Sequence, residues 1–179
     1  MVADRLGYPV IVKPNAQGST IGCTILQSEV GLEMAVAAAL QCDDSALIEQ
    51  LIVGTEITVA VLGNDDGTAL PIIEIDARGG FYDYQSKYAP GGSAHIIPAR
   101  ISEIAAEKAR DFAVKAHKVL GCSGMSRVDM IVCGDDPVVL EVNTIPGMTP
   151  TSLLPDAARA AGIEFTDLLD QIIDSALNK

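Results

Sequence analysis

The chain is 179 residues long, 49% hydrophobic and 20% charged, a globular composition with room for one domain or two small lobes. Its 24 acidic residues against 12 basic ones leave a net charge of -12, which repels phosphate backbones and argues against a nucleic-acid partner, so any anionic ligand must meet a local concentration of positive charge. No apolar run approaches the roughly 20 residues that span a bilayer, and "MVADRLGYPV" lacks the charged start and apolar centre of a signal peptide; the expectation is a soluble, cytoplasmic protein with no membrane partner.

In chain order, "YPVIVKP" reads as a short strand ending at Lys13-Pro14, and "CTIL" as its antiparallel partner across a glycine-bearing loop. Ser28 is expected to cap a helix running to about Leu40, with Leu32, Val36, Ala39 and Leu40 at helical spacing. "ALIEQLIV" is a further strand, and "TEITVAVLG" and "ALPIIEID" flank "NDDG", where Asp66-Gly67 would supply the positive dihedrals of a tight hairpin. A long glycine-rich segment, Arg78 to Ala94, follows. Ser102 then starts a helix that closes with Lys115, His117 and Lys118 in its last turn and Gly121 just beyond, a placement that suits both the dipole and the cap and asks no function of His117.

Two strands, "GMSRVDMIVC" and "PVVLEVN", join at "GDD", and two short helices end the chain, one with Pro155 in its first turn and closed by Gly162, the other capped by Thr166. The pattern favours an α+β fold of antiparallel sheets with helices packed on them, without internal repeats or an interdomain linker. Cys23, Cys42, Cys122 and Cys133 stand singly in apolar surroundings, lack the paired spacings of zinc sites or disulfide frameworks, and are expected to be buried free thiols.

The last two strands carry the first chemical signal. If Gly134 to Asp136 form the turn, Cys133 lies opposite Pro137, Ile131 opposite Val139, Asp129 opposite Glu141 and Arg127 opposite Asn143. Opposite residues share a face, so Arg127, Asp129, Glu141 and Asn143 form one patch while Val128, Met130, Leu140 and Val142 point into a core. Facing carboxylates repel, and two carboxylates with an amide oxygen are hard donors suited to Mg²⁺. The competing reading is a cross-strand salt bridge from Arg127 to one carboxylate on a solvated face.

The second signal is "KPNAQGSTIG", in which Lys13 precedes Gly18, Ser19, Thr20 and Gly22. Such a loop can close backbone N–H groups around phosphate oxygens, although an ordinary glycine-rich hairpin turn fits it equally well and no Gly-Lys-Ser/Thr opens a helix after it. The third is Arg78 to Ala94, which gathers Phe81, Tyr82 and Tyr84 in an aromatic-poor chain between the glycine pairs Gly79-Gly80 and Gly91-Gly92. It reads either as a lid that excludes water or as a loop packed on the sheet.

"VIVKPNAQGSTIG", "LIEQLIVGTEITV", "FYDYQSKY", "MSRVDMIV" and "LEVNTIPGMTPTSLLP" together resemble the D-alanine–D-alanine ligases of the ATP-grasp superfamily, in order and spacing, from about Leu6 onward. The resemblance implies an ATP-grasp fold holding a nucleotide between two lobes, with residues 1–55 roughly the small nucleotide-covering lobe and 56–179 the larger metal and substrate lobe. It also implies ligation of two D-alanines through an acylphosphate, for peptidoglycan, with ATP and Mg²⁺ (or Mn²⁺) as cofactors and a homodimer when complete. Carried over by motif, Lys13 and Lys87 contact the nucleotide phosphates, Glu49, Gln50 and Ile52 hold the base, and Glu56 holds the ribose. Asp129, Glu141 and Asn143 bind metal; Arg127 and the Gly147 N–H stabilise the intermediate, with Ser19, Lys87 and Tyr88 also at the reacting groups; Tyr88, Ser152 and Leu153 take the second alanine.

Two departures stand against this pattern. Glu49-Gln50 replaces the family's common Glu-Lys, and the family's N-terminal domain and opening ATP-grasp residues have no counterpart before Met1, as though the chain began within a domain. Another ATP-grasp carboxylate–amine ligase, or a nucleotide-binding fragment inactive by itself, are the alternative readings.

Overall fold

The computed structural model describes residues 2–17, 21–77 and 93–178. They fall into two compact units, one reaching to Ile52 and the other comprising Val53–Asp76 and the residues from Ser93 onward. The first begins with a short helix, α1 (Val2–Arg5), followed by strands β1 (Val10–Pro14) and β2 (Thr24–Leu26), helix α2 (Leu32–Leu40) and strand β3 (Ala46–Gln50). The strands form an antiparallel sheet in the order β2-β1-β3. Alternation along β1 sends Val10 and Val12 inward, where they meet Leu26 and the small side chains Ala35 and Ala39 of α2. The other face of this sheet carries Ile11, Lys13, Ile25, Leu47 and Glu49, with Ile25 and Leu47 both exposed.

Helix α2 differs from the sequence reading. Ser28 does not cap it; the Ser28 hydroxyl accepts from the Val30 N–H at 3.4 Å, and the cap position falls to Gly31 at φ 90°. Alanines rather than Val36 and Leu40 make the closest approach, since a helix seated tightly on a sheet needs small residues at the contact, and Leu40 is left exposed.

The second unit contains β4 (Thr55–Gly63), β5 (Thr68–Ala69), β6 (Ile73–Ala77), β7 (Ser93–Ile96), α3 (Glu103–Val119), β8 (Gly124–Cys133), β9 (Asp136–Asn143), α4 (Leu153–Ala160) and α5 (Phe165–Leu177). Its sheet runs β7-β6-β4-β8-β9, with β5 also paired to β4. Ile57, Val59 and Val61 of β4 share one face with Val128 and Met130 of β8, and Ala105, Ala106, Ala109 and Ala113 of α3 pack against them. His117 is fully buried at the end of α3, its Nδ1 2.8 Å from the Ser126 hydroxyl. Ser102 caps α3 by accepting from the Ala105 N–H at 3.1 Å, and Gly121 follows it at φ 64°, both as the sequence predicts.

Three local expectations change. In the β4–β5 turn the positive φ belongs to Gly63, not to Asp66-Gly67; Gly67 is required because a Cβ there would lie 2.9 Å from Val61 and 3.3 Å from His117. The α5 cap is Glu164 rather than Thr166, and Asn64 ties this helix down by donating to the Ser175 carbonyl at 3.0 Å. The cysteines are free, but Cys133 is exposed and the other three are only partly covered. No helix among the described residues is long and apolar enough to cross a membrane.

An ion pair between buried Glu74 and exposed Arg100 locks the segment after β7 to the sheet. Glu74 on β6, its side chain 8% exposed, accepts from the Arg100 backbone N–H at 2.8 Å and from the Arg100 guanidinium. The hydrogen bonds from Arg100 hold its carboxyl below the ordinary value of 4.5, against the opposing effect of burial. A carboxyl lowered in the folded state adds stability that is present above its unfolded pKa and disappears as pH falls through the folded one. Glu74→Gln is therefore expected to lower stability at neutral pH by about 1–3 kcal/mol, the range for hydrogen bonds to charged groups, with the difference from the unmutated chain shrinking as urea titrations move to acid pH. Gly54→Ala, whose Cβ would fall 2.2 Å from the Val132 carbonyl oxygen, is expected to cost about 2–3 kcal/mol in the same assay because two backbones must part.

Candidate active site

Strands β8 and β9 bring the four patch residues together. Arg127 pairs with Asn143 and Asp129 with Glu141, as the sequence predicts. The route to that register is different: the turn is the two-residue Gly134-Asp135, so Cys133 faces Asp136 and Ile131 faces Val138, and the remaining residue, Leu140, is inserted as a bulge beside Asp129/Met130. One residue removed from the turn reappears in the strand, and the site end keeps its register. Leu140 is consequently exposed rather than part of the core.

Asp129 is nearly buried, at 9% exposure, and its carboxylate is the centre of the patch. Its Oδ1 accepts from Arg127 Nε at 2.9 Å and from the Thr58 hydroxyl at 2.6 Å. Its Oδ2 accepts from Arg127 Nη2 at 2.7 Å and from Asn143 Nδ2 at 3.1 Å. The salt bridge anticipated as the competing reading is thus present, but it is bidentate, largely covered and made along one strand rather than across two. Asn143 makes a longer 3.5 Å contact to Glu141 through the same Nδ2, so its amide oxygen is the atom it can offer to a cation. Glu141 is exposed. Two carboxylates and an amide oxygen on one sheet face are a donor set that fits Mg²⁺. Thr58, on the neighbouring β4, was not indicated by any sequence pattern; a single hydroxyl in an apolar strand shows its partner only when the strands are paired.

After β9 the chain turns at buried Pro146 and exposed Gly147, where a Cβ would lie 2.9 Å from the Ser152 hydroxyl. Ser152 stands at the N-cap of α4 but turns its hydroxyl backward, accepting from the Thr149 N–H at 3.0 Å and lying 2.8 Å from the Thr149 hydroxyl. No side chain caps α4, so the positive end of its dipole faces out beside Ser152 and Leu153. One turn along, Asp156 receives Arg159 at 2.8 Å and lies 2.6 Å from His95 of β7.

In the other unit, Lys13 of β1 reaches diagonally to Glu49 of β3 at 2.5 Å, on the open face of the sheet. Gln50 ends β3 and Ile52 follows it half-buried. Glu56 lies on β4, in the second unit. Asp43 ties down the base of the glycine-bearing loop by accepting from the Ala16 N–H, and Gln17 donates to the Cys42 carbonyl at 3.1 Å. Ser19, Lys87 and Tyr88, together with residues 78–92 of the segment read as a lid, lie outside the described residues, while its last two residues, Ser93 and Ala94, begin β7.

Known proteins share this arrangement. The D-alanine–D-alanine ligase of Halalkalibacterium halodurans is 51% identical over 175 residues, covering 96% of this chain, and that of Syntrophobacter fumaroxidans is 53% identical over 178 residues, covering 98%. The chain spans 57% of the length of each. Among solved structures, a Bacillus anthracis D-alanine–D-alanine ligase complexed with ATP superposes with a TM-score of 0.82 at 34% identity, over 98% of this chain and 54% of that one. The VanG D-Ala:D-Ser ligase of Enterococcus faecalis gives a TM-score of 0.84 at 37% identity, over 97% and 51%. With the model of the D-ala D-ala ligase C-terminus matching residues 1–174, the chain belongs to that family, and its antiparallel sheets are those of the ATP-grasp fold.

Proposed function

We propose that this chain supplies the nucleotide-, metal- and acceptor-binding groups of an ATP-dependent D-alanine–D-alanine ligase working in the cytoplasm. The observation that carries the reading is the convergence of Arg127, Asp129, Glu141 and Asn143 on one face, immediately before the uncapped N-terminus of α4. Asp129, Glu141 and Asn143 would hold Mg²⁺ through oxygen, with Mn²⁺ as an alternative; the ion, when bound, supplies charge neutralisation for the phosphates.

The chain's own groups do the rest by position and charge. The unit ending at Ile52 contributes groups for a nucleotide: Ile11, Ile25 and Leu47 offer an apolar floor to a base, and Lys13 offers a cation to phosphate. Glu49, Gln50 and Ile52 line the base edge, and Glu56 takes the ribose. That a relative was solved complexed with ATP supports nucleotide binding. Arg127, held against Asp129 by two hydrogen bonds, is oriented to meet the negative charge that develops on the first alanine's carboxyl oxygen, with the Gly147 N–H as a second donor. Ser152 and Leu153 hold the carboxylate of the second alanine at the helix end, where N–H groups and the dipole favour an anion. Lys87, Tyr88 and Ser19 complete the reading as groups for the phosphoryl and the acceptor.

Calorimetry on the chain tests the metal part. ATP is expected to bind markedly more tightly with Mg²⁺ than without it, and Glu141→Gln to reduce that gain about 10-fold or more, the scale of one lost charged contact. Equal affinity with and without Mg²⁺ would sink the assignment. A coupled assay of ADP release, with the chain joined to the N-terminal part of a relative, tests the reaction: release that depends on D-alanine supports ligation, and release driven equally by unrelated amines would point to another carboxylate–amine ligase.

A further inference from the structure

We infer that Thr58 is a positioning residue, which fixes the rotation of the Asp129 carboxylate and thereby sets the affinity of the patch for a divalent cation. The inference rests on the metal reading above and extends it to a residue on a third strand. Thr58 lies directly opposite Asp129 across the β4–β8 pairing and is 1% exposed. Its neighbours along β4 are Ile57, Val59, Ala60 and Val61, all buried, so the chemistry of the strand calls for valine, the isostere of threonine. A buried hydroxyl without a partner is disfavoured by about 1–3 kcal/mol, and this one is matched by a 2.6 Å bond to Asp129 Oδ1, with the Val128 carbonyl a more distant second acceptor at 3.4 Å.

The four bonds to Asp129 are not equivalent. Arg127 and Asn143 are groups that the reaction itself needs, and a ligand will compete for both. Thr58 faces no ligand and is held by the stiff χ1 of a β-branched side chain. It therefore keeps Oδ1 turned toward β4 whatever Arg127 does, which leaves Oδ2 facing Asn143 and Glu141 on β9. Outer partners of this kind orient a ligating carboxylate and typically change metal affinity 10- to 100-fold when removed.

The test uses Mn²⁺ as the probe, with free Mn²⁺ counted by electron paramagnetic resonance on the 179-residue chain and its variants with ATP, and binding taken as the Mn²⁺ removed beyond that removed by the same ATP without protein. Thr58→Val is expected to weaken Mn²⁺ binding about 10- to 100-fold while circular dichroism shows the fold retained. Thr58→Ser and Thr58→Ala form a second pair, both lacking the γ-methyl and differing only in the hydroxyl; the serine variant is expected to keep the original affinity and the alanine variant to lose it. Packing alone would not separate that pair. Equal Mn²⁺ affinity of Thr58→Ser and Thr58→Ala, or an unchanged affinity in Thr58→Val, overturns the positioning role and leaves the metal reading intact. No Mn²⁺ binding by the unmutated chain with ATP overturns the metal reading, and the inference with it.

Discussion

The carboxylate of Asp129 is the constraint around which the larger unit is arranged. It is nearly buried in a sheet, and an isolated charge there would be costly. Three strands answer that cost at once: Thr58 from β4, Arg127 from β8 itself and Asn143 from β9 each donate to it. The same bonds join the middle of the sheet to its β9 edge, so the charge that a catalytic site needs is also a fastening of the fold. The opposite face can then be largely apolar, its polar contact confined to the buried His117–Ser126 pair at the end of α3. Ile57, Val59, Val128 and Met130 meet the alanine surface of α3.

This division of labour governs what a reader of the sequence can see. The pairing of Asp129 with Glu141 follows from period-two alternation and residue counting, and both are local properties. The counting succeeded through a cancellation: the residue assigned to the turn sits instead in the bulge at Leu140, and either placement leaves the same register at Arg127 and Asn143. Capping of α3 was legible because Ser102 and Gly121 are adjacent to the elements they end. At α2 and α5, Ser28 and Thr166 were plausible caps with better-placed competitors nearby, and only the backbone path decides between them. Thr58 could not be found in this way, since its significance lies in a partner 71 residues distant and no periodicity announces it.

The loop before α4 shows a related compromise. A serine at an N-cap ordinarily turns its oxygen forward to a backbone N–H and stabilises its helix. Here Ser152 turns back to Thr149, so the loop is braced while the helix end stays uncapped. Forgoing a cap gives up about 1 kcal/mol of helix stability, which is a reasonable exchange if an anionic group is to occupy the same N–H groups. Gly147 fits the same picture, because a Cβ there would press on the Ser152 hydroxyl and disturb the brace. The apolar anchoring of α4 by buried Leu153, Leu154, Ala157 and Ala158 makes up for the missing cap.

Charge balance favours the proposed divalent cation. The chain carries a net charge of -12, and a nucleotide triphosphate adds several negative charges more. The described cations proposed to meet negative charge are already matched, Lys13 by Glu49 in one unit and Arg127 by Asp129 in the other. Turning either of them toward phosphate would strand a carboxylate, Glu49 in partial contact with solvent and Asp129 almost without it, and the second exchange is much the harder of the two. A divalent cation held as proposed by Asp129, Glu141 and Asn143 would remove the conflict, since it would compensate the carboxylates and the phosphates together and allow Arg127 to share its hydrogen bonds with a developing oxyanion. On the proposed reading, the acidity of the patch, which taken alone would repel a nucleotide, is what would draw the metal through which the nucleotide binds.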